Sequence, residues 1–141
     1  MRIEDVLKGK GDAVTTVSPE DPVTVVLRCV AEQNMGALPV VDGDRLVGIV
    51  SERDVVRRLH QQGSALLDAR VADVMTADVV TCTPHDGVGD LAKIMTERRV
   101  RHLPVLVDGR LAGIVSIGDL VKARIDMLEQ EREQLESYIA Q

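Results

Sequence analysis

Phenylalanine and tryptophan are absent from this chain of 141 residues, and Tyr138 is its single tyrosine. The core must therefore be aliphatic, and any ligand ring bound here has to lie between aliphatic side chains. Stacking of bases on aromatic platforms is excluded. Cysteine is scarce: Cys29 and Cys82 stand alone, with no CxxC. They read as small apolar filler, neither a disulfide framework nor a zinc site. Positive charge is in deficit, with 17 Lys and Arg against 23 Asp and Glu for a net −6. A nucleic-acid binder carries a basic stripe, which argues against such a partner; the clusters Arg53, Arg57, Arg58 and Arg98, Arg99, Arg101 are short. No apolar run approaches the roughly 20 residues of a membrane-spanning helix, so no membrane partner is expected. Met1-Arg2-Ile3-Glu4-Asp5 does not open a signal peptide. Together these absences point to the cytoplasm.

Catalytic patterns are missing too. His60, His85 and His102 show no HxxxH spacing, and neither GxxxxGK[ST] nor GxGxxG occurs. No Ser-His-Asp or Cys-His grouping can be assembled, so no enzyme is expected and no metal site.

What is present is a repetition. Val14–Val56 returns as Val79–Val121 at a constant offset of 65, with 17 of 43 aligned pairs identical. Such self-similarity marks two copies of one supersecondary unit. A unit of this size buries too little surface alone, so the copies are expected to be stable only together. The boundaries read as 1–62 for copy one, 63–69 for a linker, 70–125 for copy two and 126–141 for a helical tail.

Each copy reads strand, helix, strand, strand, helix. Val14–Val17 is a short β-rich run, and Ser18-Pro19-Glu20-Asp21 has the residue order of a helix start. The helix is expected to reach about Asn34, with Val23, Val26, Leu27, Val30 and Ala31 inward and Gly36 closing it. Leu38–Val41 and Leu46–Val50 flank Asp42-Gly43-Asp44 as a hairpin, and a helix follows from Ser51. Copy two repeats this with Val79–Cys82, Thr83-Pro84-His85-Asp86, a hairpin turning at Asp108-Gly109, and a helix from Ser116. Arg2–Leu7 echoes Arg70–Met75 (residues 70–75) at an offset of 68, so each copy has a lead-in helix expected to pack on the other copy. Copy one carries three extra residues in its Lys8–Asp12 loop. Val121, Ile125, Leu128, Leu135 and Ile139 form a narrow apolar seam along the last helix, interrupted by Arg132. That pattern suits a short coiled coil with a second chain, or a helix folded back on its own domain.

Gly-Ile-Val-Ser-x-x-Asp closes both hairpins, at Gly48–Asp54 and Gly113–Asp119. The Ser and Asp can form a capping box. The same carboxylate, at the open end of a strand, can also accept both hydrogens of a ribose diol. Both readings stand at this level.

The ordered set of lead-in helix, [ST]-Pro turn, Leu-Pro-Val hairpin and closing Gly-Ile-Val-Ser-x-x-Asp, occurring twice over about residues 1–125, resembles a pair of cystathionine-beta-synthase (CBS) domains. The resemblance implies an α/β (α+β) fold of tandem β-α-β-β-α repeats with pseudo-two-fold symmetry, extended here by a C-terminal helix. It implies two clefts for adenosine-containing ligands, chiefly AMP, ADP or ATP, with NAD(H) or S-adenosylmethionine as alternatives, and no required cofactor. It further implies a homodimer that signals to an effector protein which the sequence does not identify. Carried over by residue, one site comprises Ser116 and Asp119, Ser18 from the other copy, and Arg101 with His102 for phosphate. The second comprises Ser51 and Asp54, Thr83, and Gly36 with Ala37, and lacks a basic residue at the phosphate position. A non-catalytic adenine-nucleotide sensor ranks ahead of a ligand-free dimerisation scaffold, then an enzyme, then a DNA-binding regulator.

Overall fold

The computed structural model describes residues 1–11 and 13–140; Asp12, assigned above to the loop after the first helix, and Gln141 of the tail lie outside the described residues. Its elements are α1 (Ile3–Lys10), α2 (Val23–Gln33), β1 (Ala37–Asp42), β2 (Arg45–Ser51), α3 (Glu52–Gln62), α4 (Val71–Val74), α5 (Val88–Arg98), β3 (His102–Val107), β4 (Arg110–Ser116) and α6 (Ile117–Ala140). A 3-10 helix at Gly63–Asp68 joins α3 to α4. The mixed architecture of two repeats and a long final helix is the one expected.

Each repeat is built on an antiparallel hairpin, β1 with β2 and β3 with β4, in matching register. Both hairpins carry a register shift at the same place, Val40/Val41 and Val105/Leu106. The two-residue turns need positive φ. Gly43 supplies it at 64° in one repeat, Asp108 at 51° and Gly109 at 78° in the other.

Three local expectations are corrected. The leading strands shrink to one parallel bridge each, Val17 to Val40 and Cys82 to Val105. The helices after Ser18-Pro19 and Thr83-Pro84 begin only at Val23 and Val88. In place of a cap, the Ser18 N–H donates to Asp21 Oδ2 at 2.9 Å and the Thr83 N–H to Asp86 Oδ2 at 2.8 Å, which closes tight turns. The first free N–H of each helix is met by the other repeat: Val23 N–H donates to Ala69 O at 3.0 Å and Val88 N–H to Met1 O at 3.1 Å. Finally, α2 is closed by Asn34 in the left-handed conformation, φ 54°, before Gly36 is reached, and Ala31 is exposed while Cys29 is buried. Left-handed backbone suits Asn because its short amide tolerates it.

The lead-in helices are exchanged between repeats. Ile3, with Val6 and Leu7 of α1, packs into the aliphatic core of repeat two beside Leu91, Met95, Leu103 and Val115. Val71 and Val74 of α4 pack into that of repeat one beside Val23, Val26, Leu38 and Val50. Leu66, in the segment between repeats, is fully buried in this first core, so 63–69 is part of the fold and not a solvated tether. Each core is thus completed by the other repeat's chain, which is why neither half can bury its apolar face alone.

Candidate functional site

A cleft of about 820 Å³ opens where the two repeats meet. Repeat one contributes Gly36 and Ala37 at the start of β1, Ser51 at the end of β2, and Asp54 with Val56 on α3. Repeat two contributes Val79 and Val80, then Arg98 through His102 between α5 and β3. A smaller lobe of about 360 Å³ continues from it, sharing Arg53, Arg99 and Arg101.

The chemistry divides along the cleft. Ile49, Val56, Val79 and Val80 supply an apolar wall, the aliphatic bed that a chain without Phe or Trp must use for a flat ring. Arg53, Arg57, Arg98, Arg99 and Arg101 face it with Glu52, Asp54 and Asp78. Guanidinium groups in such number recognise phosphate oxygens through paired N–H donors.

Asp54 lines the same cleft and does two things. Its Oδ2 accepts the Ser51 N–H at 2.9 Å and the Ser51 hydroxyl at 3.0 Å, while its own N–H donates to Ser51 Oγ at 3.3 Å. That is a capping box on α3. Its Oδ1 accepts from the Thr76 hydroxyl at 3.2 Å. The cap holds Oδ2 and leaves Oδ1 to a partner outside the motif. Thr76 was not visible as a site residue; only its backbone pairing with Ile49, at 2.8 and 2.9 Å, brings it there.

Asp119 repeats the cap: Ser116 N–H donates to its Oδ2 at 2.9 Å, and Asp119 N–H donates to Ser116 Oγ at 3.1 Å. Its surroundings differ. Lys10 Nζ donates to Asp119 Oδ2 at 2.7 Å and to Ile114 O at 2.9 Å. Burial by itself would raise the Asp119 carboxyl, but the hydrogen bonds from Lys10 and Ser116 and the Lys10 charge outweigh it and hold the group below the ordinary carboxylate range.

The expected partition of site residues is corrected in two respects. Arg101 and His102 line the cleft of Asp54, Ser51, Gly36 and Ala37, so that cleft does have basic groups in its lining. The reason is that Gly36, just ahead of β1, lies against the first residue of β3: a Cβ on Gly36 would fall 2.8 Å from His102 Cε1. Thr83, expected in this cleft, does not line it, and neither do Ser18, Ser116 and Asp119, which were assigned to the other site. The Ser18 hydroxyl is taken by its own turn, accepting from Glu20 N–H at 3.3 Å.

His102 lies between the two closing motifs. Burial lowers its pKa from 6.5, the charges of Lys10 and Arg101 lower it further, and Asp119 and Glu52 oppose them. Its imidazole is thus held neutral near pH 7. Cys82 is buried and pushed up to about 12, chiefly by desolvation and then by Asp86, so its thiol is inert filler. Among the described residues, no group of three or more His, Cys, Asp or Glu is placed to hold a metal ion, and no helix is long and apolar enough to cross a membrane.

Two exchanged repeats with a ligand-sized cleft between them define a paired regulatory module. The chain matches the CBS domain model over residues 4–61 and again over 71–126, and it belongs to the CBS-domain family. It is 35% identical over 146 residues to the mitochondrial CBS domain-containing protein CBSX3 of Arabidopsis thaliana, covering 97% of this chain and 71% of that protein. It is 33% identical over 109 residues to the CBS domain-containing protein YhcV of Bacillus subtilis, covering 76% of each. Among solved structures, the CBS-domain containing protein ATU1752 from Agrobacterium tumefaciens superposes with a TM-score of 0.85 at 41% identity, over 88% of this chain and 99% of that one. An inosine-5'-monophosphate dehydrogenase of Thermoplasma acidophilum is 37% identical over 110 residues, which make up 21% of that enzyme's length.

Proposed function

We propose that this chain is a non-catalytic sensor that binds an adenosine phosphate in the cleft between its repeats and passes the change to a partner protein. One observation carries the reading: a single cleft joins an aliphatic wall, the ribose-competent Asp54 and a cluster of arginines. The adenine lies between Ile49, Val56, Val79 and Val80. The ribose diol donates to Asp54 Oδ1, displacing or sharing the Thr76 hydroxyl. The phosphates meet Arg98, Arg99 and Arg101, with His102 beside them. A ligand that touches both repeats favours the packing in which they close on it, and that shift is what an effector reads.

The test is equilibrium binding of AMP, ADP and ATP, with NADH and S-adenosylmethionine as competitors. Any ligand confined to the folded state must also raise the melting temperature. Asp54→Ala is expected to weaken binding by about tenfold or more, the worth of a hydrogen bond to a charged group. Unchanged affinity in that variant, or no binding by any of these compounds, refutes the reading; the latter outcome favours the scaffold.

Self-association belongs to the same proposal. Beyond Ala123 the last helix leaves the core, and its seam residues Leu128, Leu135 and Ile139 are 47%, 63% and 80% exposed. A second copy of the same helix is the occupant that the alternating spacing fits.

A further inference from the structure

The two closing motifs are related by the repeat, yet their carboxylates are partnered by different chemistry. In each repeat the closing strand has a glycine on which the exchanged lead-in segment rests. A Cβ on Gly48 would meet Met75 Sδ at 2.6 Å, and one on Gly113 would meet Leu7 Cδ2 at 2.8 Å. Met75 and Leu7 are the repeat equivalents. From here the chains diverge. After Met75 the backbone extends, so that Thr76 N–H donates to Ile49 O at 2.8 Å and its hydroxyl donates to Asp54 at 3.2 Å. After Leu7 the helix runs on to Lys10, using the residues that copy one has in excess. Lys10 then reaches the equivalent strand carbonyl and carboxylate with one ammonium group, bonding Ile114 O at 2.9 Å and, unlike Thr76, the capping oxygen itself, Asp119 Oδ2, at 2.7 Å.

The replacement is not neutral. A threonine hydroxyl leaves the Asp54 charge available to an incoming diol and can rotate aside. A lysine ammonium offsets the Asp119 charge and ties the carboxylate, through Oδ2, to the Ile114 carbonyl of the closing strand. Lys10 and Asp119 are also only partly exposed, 39% and 26%, so solvent competes less for the pair than at an open surface.

We infer that Lys10 is a built-in occupant of the second nucleotide position, so that the module takes ligand at Asp54 alone unless Lys10 is displaced. The inference rests on the nucleotide reading of the Asp54 cleft, and it makes Lys10 the residue that sets stoichiometry and keeps the twin sites unequal. Lys10→Thr restores the neutral partner found in the other repeat; Lys10→Met keeps the methylene stem while removing the charge, should the threonine variant fold poorly.

Calorimetric titration of AMP and of ATP into the full chain decides the matter. The native chain is expected to take one nucleotide per chain, lost in Asp54→Ala and retained in Asp119→Ala. Lys10→Thr or Lys10→Met is expected to take two, the second lost on adding Asp119→Ala. Two sites in the native chain, or one site still in both Lys10 variants, overturns the inference and leaves the Asp54 reading intact. A site that appears only in the Lys10 variants upholds the inference and overturns the Asp54 reading. Binding in none of these proteins overturns both.

Discussion

Single residues decide what the cleft can hold and at which pH it is stable. His102 is the clearest case. It is half-buried among the charges of Lys10, Asp119, Glu52 and Arg101, and its pKa is lowered from 6.5, chiefly by desolvation. In the window between 6.5 and that lowered value the unfolded chain binds more protons at this residue than the native one. Native stability therefore falls as pH drops through the window and is restored as pH rises above it. The melting temperature is expected to fall as pH drops below about 6.5 partly for this reason, and His102→Gln to shrink the loss. A profile unaltered by that substitution would show that His102 contributes nothing to it. The residue scale is also where the sequence was most informative. Ser51 and Asp54 were legible from the repeated motif and Gly36, Ala37, Arg101 and His102 from the family resemblance, which assigned the last two to the other site; the structure brings all six to one cleft. Thr76 and Lys10 were not, because they lie far along the chain from the carboxylates they contact, 22 and 109 residues away, and no short motif spans such a distance.

At the scale of elements, the exchanged lead-in helices do most to shape the site. Their fit depends on two glycines whose local environments differ. At Gly48 an added methyl would meet both Met75 and the Thr76 carbonyl, the latter 3.0 Å away; at Gly113 it meets only Leu7. A backbone carbonyl already bound to Ile49 N–H cannot move aside as a leucine terminus can. Gly48→Ala is expected to destabilise by about 1–3 kcal/mol and Gly113→Ala by clearly less, a difference that denaturant unfolding of the two variants measures. The leading strands and helix starts were misjudged on propensity for a related reason. Ser18-Pro19 and Thr83-Pro84 have the composition of an N-cap, and each first residue bonds the acid three positions on, but the chain closes only a turn there, and the true helix starts are satisfied by the Ala69 and Met1 carbonyls. Local sequence cannot reveal a hydrogen-bond partner on another element. The hairpins and the caps at Ser51 and Ser116 were legible because each is closed within a few residues.

For the molecule as a whole, two aliphatic cores stand side by side, each sealed by the helix that precedes its neighbour. The final helix extends beyond both, with Arg132 paired to Glu136 one turn on at 3.6 Å. That contact directs the charge that interrupts the seam along its own helix. Truncation after Arg124 is expected to convert a dimer into a monomer in sedimentation velocity while leaving the folded cleft and its nucleotide affinity in place. A truncated chain that still sediments as a dimer would put the interface elsewhere, for example on the exposed Val56 and Leu59 of α3.

The amino-acid sequence by itself determined the duplication, the aliphatic character of the core, the hairpins and the closing carboxylates. These are written in composition and in patterns that close over short distances. Tertiary structure alone decided that Arg101 and His102 share the cleft of Asp54, and that Lys10 reaches Asp119. Those pairings join groups from opposite copies, and similar copies leave their partnership open until the chain has packed.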